Sequence, residues 1–474
     1  MLRLQPDHER DTIWDALLPV GVTVLPPDLA AVDLLLSDPA LLAPFRVLWR
    51  ERDAASGRCA EALGRPTIAM ATYVRLMVIK ARTGWGYVTL VREVSDSLHL
   101  RRFCLIPLGD PVPTESTVRK LTRRLGPELV AQLIGEVIEL AVRERRFGPA
   151  ALRIDSTVVE ADIRYPTDSG LAADGVRLLA GAARHVIEAA GDAVGHVRDR
   201  SRAVGHRLRA LGRTLRRRTG EAKADVLRLT GEAGDLLARS IGEARRMVDR
   251  VARETAPEIC VARERLSGLV DLAAKLVDQI GRRVRGEPIT DRLVSFADPD
   301  ARPIRKGKLA NPTQFGYLSQ IAELTGSTGR GARGLILPPP TRAGSIHENA
   351  LLPATLAELG RRGLRPREVA VDAGFGIRAT REAFAPFGAA VHVVGSSTNA
   401  GSRRTRRRLA RYRVGCEGRI SHLKRSYGAK RSRLRGAMGA AIWTNWAILA
   451  YDLDTAAALP ARRARSARTT GRAA

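Results

Sequence analysis

Strand-like sequence occurs in two places in this chain, on either side of a long helical block, so the fold has to complete a sheet around an interruption. Residues 150–160 are rich in β-branched side chains, as a buried strand would be. Residues 176–290 hold few prolines. There Leu178, Leu179, Val186, Ile187, Val194, Val197 and Val204 recur at spacings of one, three and seven, which predicts long amphipathic helices in a hairpin or small bundle. After Asp291 strands return. Leu293–Phe296 reads as a strand and Pro303–Leu309 as part of a hairpin. Phe315–Leu324 alternates, and Gly334–Leu337 ends at three prolines. His347–Arg361 reads as a helix, Val369–Asp372 as a strand, Ile377–Phe384 as a helix, Ala390–Val394 as a strand and Arg404–Lys424 as a helix. Strands followed by alternating helix and strand predict an α/β fold, a mixed sheet flanked by helices.

The remainder organises around this core. Residues 1–64 form a helical lead-in broken by Pro19, Pro26 and Pro27. Residues 65–145 read as a compact helical domain. It comprises Met70–Arg82, then Thr89–Leu98, a turn cluster at Pro107–Pro113, and a helix opened by the hydroxyl cap Thr114. That last helix presents Arg119, Lys120, Arg123 and Arg124, the layout of a helix-turn-helix DNA reader. The core itself spans 146–175 and 291–455, with 176–290 inserted. Ala440–Leu453 is an apolar closing helix, and residues 456–474 form an Ala/Arg-rich tail expected to be disordered.

Charge narrows the function. A net charge of +29 favours a polyanionic partner, of which nucleic acid is the usual one. It is also clustered: between Arg403 and Arg435 stand 14 Lys/Arg and one acid, Glu417. In the insertion, 24 Lys/Arg face 15 Asp/Glu, which leaves open either a DNA role or a solvated coiled coil. Cys59, Cys104, Cys260 and Cys416 make no CxxC pair, so neither a zinc ribbon nor a disulfide framework is expected. No signal peptide or membrane span is expected, and a cytosolic, nucleoid-associated location follows.

Three isolated acids stand out. Asp155 and Asp372 each end a strand-like run, and Glu417 sits on a helix face with Arg413 and Lys424, at spacings of four and seven. If the strands are neighbours and the helix crosses them, three carboxylates can hold two Mg²⁺ ions about 3.5–4 Å apart, while Arg413 and Lys424 grip backbone phosphates. Each acid also has a plainer reading: a turn or helix cap for Asp155 and Asp372, an intrahelical ion pair for Glu417. Asp162, Asp168 and Asp174 compete with Asp155 but fall in or beside a loop. Gly374–Gly376 lacks the third glycine of a dinucleotide site, and Gly326–Gly334 lacks the Lys-Ser/Thr of a phosphate loop. His347 reads as part of a helix start, His422 as a surface residue, and Trp443 and Trp446 as core.

The runs Ile154–Ala161 and Tyr165–Gly175, then Val371–Phe375, then Cys416–Arg425 resemble the DDE transposases of bacterial insertion sequences, closest to the IS5/IS1182-like or ISNCY-type groups of the IS4-related superfamily. The resemblance spans roughly residues 65–455. It implies an RNase H-like catalytic core that uses Mg²⁺ or Mn²⁺, with Asp155, Asp372 and Glu417 as catalytic metal ligands. It also implies Arg413, Arg419 and Lys424 near DNA, with the N-terminal helical segment reading terminal inverted repeats. Cleavage and strand transfer on double-stranded DNA, by a homodimer that pairs two ends, complete the expectation. Arg413, Glu417 and Lys424 fit the family's Y-x2-R-x3-E-x6-K spacing; the tyrosine does not, since position 410 is Ala and Tyr412 lies two residues away. A DNA-binding relative without catalysis, or a nuclease on the same core, are the alternatives.

Overall fold

The computed structural model describes residues 19, 21, 24–56, 68–217, 219–305, 313–344 and 346–470, and divides into two compact units. The first comprises residues 1–160, 317–342 and 346–474; the second comprises 161–316 and 343–345. The second unit is thus wider than the helical stretch 176–290 that patterning alone delimits.

The first unit opens with helices α1 (Pro27–Leu36) and α2 (Ala43–Ser56), followed by α3 (Met70–Thr83), α4 (Tyr87–Asp96), α5 (Leu98–Phe103) and α6 (Glu115–Arg143). Local chemistry sets their ends. Gly84 takes the left-handed conformation (φ 69°) that terminates α3. The Thr114 side chain accepts a hydrogen bond from the Thr117 amide and so caps α6, while Gly126 (φ 81°) kinks that helix just before Pro127.

Strand β1 (Ala151–Ala161) is the centre of a mixed sheet. Beside it lie β3 (Thr313–Thr325) on one flank and β6 (Glu368–Val371) then β7 (Ala390–Val393) on the other. β1, β6 and β7 run parallel, with Ala151 opposite Glu368, Arg153 opposite Ala370 and Ile154 opposite Val371. The short strands β4 (Leu335–Ile336) and β5 (Thr341–Ala343) pair with β3, and β8 (Arg431–Ser432) pairs with β1. Helices α11 (Leu352–Arg361), α12 (Ile377–Phe384), α13 (Arg403–Ser426) and α14 (Gly436–Thr470) complete this unit. One apolar core joins α3 and α6 to the sheet and to α14, through side chains such as Tyr73, Ile134, Ile154, Leu324, Val371 and Trp446. Helix α14 continues to Thr470, past residue 456 where low complexity suggested loss of order.

The second unit is a helical bundle of α7 (Asp168–Ala190), α8 (Ser201–Thr214), α9 (Gly220–Arg250) and α10 (Pro257–Arg285) around Leu179, Val186, Leu237, Leu266 and Leu276. Strand β2 (Arg302–Arg305) pairs antiparallel with residues 313–316. The strand expected at Leu293–Phe296 is not formed. The Leu293 amide and carbonyl are taken by the Gln279 side chain at 2.7 and 3.2 Å, so its backbone valences are spent on a side chain rather than a ladder. The second arm of the expected hairpin, after Arg305, lies partly outside the described residues.

Candidate active site

The sheet register creates the site. In parallel strands, alternate residues share a face, so Ala151 and Arg153 of β1 lie with Glu368 and Ala370 of β6. The next members on that face are Asp155 and Asp372. Asp372 directly follows the end of β6. Asp155 does not end β1, as expected, but lies inside it, one residue after the last position that pairs with β6. Helix α13, capped by Ser402, packs on this face, where the small side chains of Ala151 and Ala370 admit Leu409 and Tyr412.

Contacts between helix and sheet climb in register. Arg408 reaches Glu368 at 2.8 Å. One turn on, the Tyr412 carbonyl accepts from Arg153 at 3.0 Å. Next comes Arg413, whose guanidinium lies 2.9 Å from Asp155, 3.0 Å from Asp372 and 2.6 Å from Glu417. The three acids therefore converge, and they converge on a cation. Arg413 is 8% exposed, whereas Glu417 is 61% exposed and Asp372 40%. Burial opposes the charge of Arg413, but Asp155, Asp372 and Glu417 outweigh it and hold its pKa above the usual arginine value. Asp155 and Asp372 each also accept the amide of the following residue, at 2.8 Å.

Beneath lies a buried ion-pair cluster that patterning missed. Glu323 of β3 is fully buried, 2.7 Å from Arg153 and 2.9 Å from Arg419, and it also accepts the Gly334 amide at 2.9 Å. It ties β1, β3 and α13 together two residues before Asp155 and two after Glu417. The available signal was charge complementarity: a lone Glu in the apolar run Tyr317–Leu324 and a lone Arg in Ala151–Ile154 demand partners when buried. Tyr412 locks the helix further, its hydroxyl 2.6 Å from that of Thr325.

Several expected site residues have other surroundings. Arg419, expected at DNA, is 11% exposed, pairs with Glu323 and stacks over Tyr451, so its charge is already committed. Arg413 faces the acids instead of standing clear as a phosphate grip. Lys424 is half-buried in the last turn of α13. Arg119, Lys120, Arg123 and Arg124 are exposed on the first half of α6. Of the competing acids, Asp168 is held by Gln279, Arg283 and Arg292, and Asp174 by Arg164 and Arg177, all within the second unit. The His347 ring accepts the Asn349 amide at a short helix start. His422 packs edge-on against Tyr427 and Tyr451, half-buried rather than on the surface. Trp446 is core and Trp443 is packed against that core.

Among the described residues, no three His, Cys, Asp or Glu side chains already form a metal-binding group. The donor set nonetheless suits one: three carboxylates gathered about a single positive charge match the ligand preference of a hard divalent cation. No helix among the described residues is long and apolar enough to cross a membrane.

Two family models match the chain. A transposase domain (DUF772) matches residues 43–124, which include α3, α4, α5 and the basic start of α6. A transposase DDE domain matches residues 333–453, which include Asp372, Arg413 and Glu417. No curated protein and no solved structure matches significantly. Both matches are to transposase domains, and together they indicate an insertion-sequence DDE transposase.

Proposed function

We propose that this transposase binds the terminal inverted repeats of its element, cleaves DNA at the element's ends, and joins the freed 3′-hydroxyl to target DNA. The observation that carries the reading is the meeting of Asp155, Asp372 and Glu417 at Arg413, from three separate stretches of chain. On this reading the core is RNase H-like, with β1, β6 and Glu417's helix supplying the acids. Asp155, Asp372 and Glu417 hold Mg²⁺ or Mn²⁺, two ions in the working site. When bound, such ions lower the pKa of an attacking water and stabilise the leaving oxygen. The chain's own part is positional. Asp155 and Asp372 are fixed by neighbouring strands, and Glu417 by a helix whose register Glu323 and Arg153 set. The exposed Arg119, Lys120, Arg123 and Arg124 supply a duplex-binding face, and Lys424 a phosphate contact beside the cut. Pairing of two ends requires a homodimer.

The test is a strand-transfer assay. Purified protein is incubated with a labelled duplex carrying the element's end and with a target plasmid, in Mg²⁺, Mn²⁺ or EDTA. Divalent-dependent nicking at the element boundary and covalent joining to the plasmid are expected. Salt-sensitive binding with no cutting in either metal would favour a DNA-binding relative without catalysis; cutting unrelated to the boundary would favour a nuclease.

A further inference from the structure

The helical bundle carries a second charged surface, on α8. That helix contains four arginines and no Asp or Glu. Arg202, Arg209 and Arg213 are separated by seven and four residues, so they project from one face, with His206 between them. Arg202, His206, Arg209 and Arg213 are exposed, and Arg216 and Arg217 extend the charge past the helix end. The opposite face is apolar: Val204 is buried in the bundle core, and Leu211 is buried as well. The helix is therefore anchored by one side and presents arginine from the other.

The rest of the bundle is an internal control. Helix α9 holds six Lys/Arg and six Asp/Glu, and α10 six against four. There acids balance or partly offset the bases, and some are paired in place: Arg228 bridges Asp225 and Glu232, and Arg282 pairs with Asp278. On α8 the half-exposed Arg207 pairs with Glu232. Arg202, Arg209 and Arg213 have no ion-pair partner among the described residues. An arginine-rich composition alone would distribute positive charge over all four helices. Its concentration, unneutralised, on one exposed face calls for an anion outside the bundle.

We infer that the exposed face of α8 is a DNA-backbone contact surface, sequence-independent and additional to the basic half of α6. Arg202 to Arg213 spans about 16 Å along the helix, or roughly five base pairs of one DNA strand. Arginine forks suit phosphate oxygens spaced along such a track. With no Phe, Tyr or Trp on that face, the surface reads charge and spacing, not bases. The inference rests on the reading above that DNA is the partner.

The experiment measures binding of the full-length protein to end-bearing and random duplexes across a salt series, with the triple variant Arg202→Gln/Arg209→Gln/Arg213→Gln. Melting temperature verifies folding. The slope of log affinity against log salt should fall by roughly 2–3, about 0.9 for each phosphate no longer neutralised, and equally for both duplexes. Arg228→Gln/Arg282→Gln, which removes paired arginines of the same bundle, should leave the slope near wild type. An unchanged slope in the triple variant, with wild type binding DNA normally, overturns the surface and leaves the transposase reading standing. Wild type that neither binds nor cuts end DNA overturns both. Loss of binding only to anionic vesicles or RNA, with duplex binding intact, overturns DNA as the occupant.

Discussion

Gly415 lies so close to Arg153 that a β-carbon on it would overlap the guanidinium Nη1. Arg153 is itself 3% exposed and tied to Glu323 and to the Tyr412 carbonyl, so it has no open space to move into. In an isolated helix, Gly→Ala stabilises by about 1 kcal/mol. Here overpacking of about 1–3 kcal/mol opposes that gain, and displaced Arg153 hydrogen bonds add to the loss. Gly415→Ala is expected to lower the denaturant midpoint and to impair divalent-dependent cleavage. A variant as stable as wild type would mean that α13 does not press on β1 at this point.

Glu323 neutralises two buried arginines at once. Glu323→Gln keeps its size but leaves Arg153 and Arg419 without their carboxylate, and removing one member of a buried ionic cluster costs about 3–5 kcal/mol. Equilibrium unfolding should show a loss on that scale. A change under about 1 kcal/mol would show that the cluster is not the tie between helix and sheet.

Arg413 compensates three carboxylates in the absence of a metal. Arg413→Gln leaves Asp155, Asp372 and Glu417 repelling one another. The variant should melt below wild type in EDTA and gain more than wild type does from added Mn²⁺, because the cation then replaces the lost guanidinium. Equal metal-induced shifts in the two proteins would separate Arg413 from metal loading.

Lys80 sits buried between the rings of Tyr87 and Trp443, 4.6 and 3.8 Å from their centroids. Burial, aided by Arg433, pushes its pKa down to about 7 from 10.5. A base depressed on folding binds fewer protons folded than unfolded between those values. Its contribution to stability is therefore greatest above about 10.5 and is lost as pH falls toward 7, with a slope of up to about 1.4 kcal/mol per pH unit. Lys80→Met should flatten stability against pH across that window. An unchanged profile would show that Lys80 does not titrate there.

Much of the architecture is legible locally because local chemistry decides it. Thr114 caps its helix as its sequence context suggests, and Ile377–Phe384 is the helix its pattern predicts. The acids Asp155 and Asp372 could be singled out because each follows an apolar β-branched run. What joins them could not: Glu323 and Arg153 are 170 residues apart, and only the β3–β1 pairing brings them together. For the same reason Arg419, which reads as a surface cation in a basic helix, is spent on a buried partner. Leu293–Phe296 has strand composition, but Gln279 of the preceding helix α10 captures the Leu293 backbone. The misses are long-range electrostatic and hydrogen-bond pairings, invisible to periodicity.

The most direct test of the central claim, that Asp155, Asp372 and Glu417 act as one catalytic unit, is boundary nicking by Asp155→Asn, Asp372→Asn and Glu417→Gln. Rates are compared in Mg²⁺ and Mn²⁺ at protein concentrations that give equal DNA occupancy. The account predicts that all three variants bind the end-bearing duplex as wild type does and that each loses nicking to background. Any one of them cutting at a wild-type rate would contradict it and remove that acid from the site.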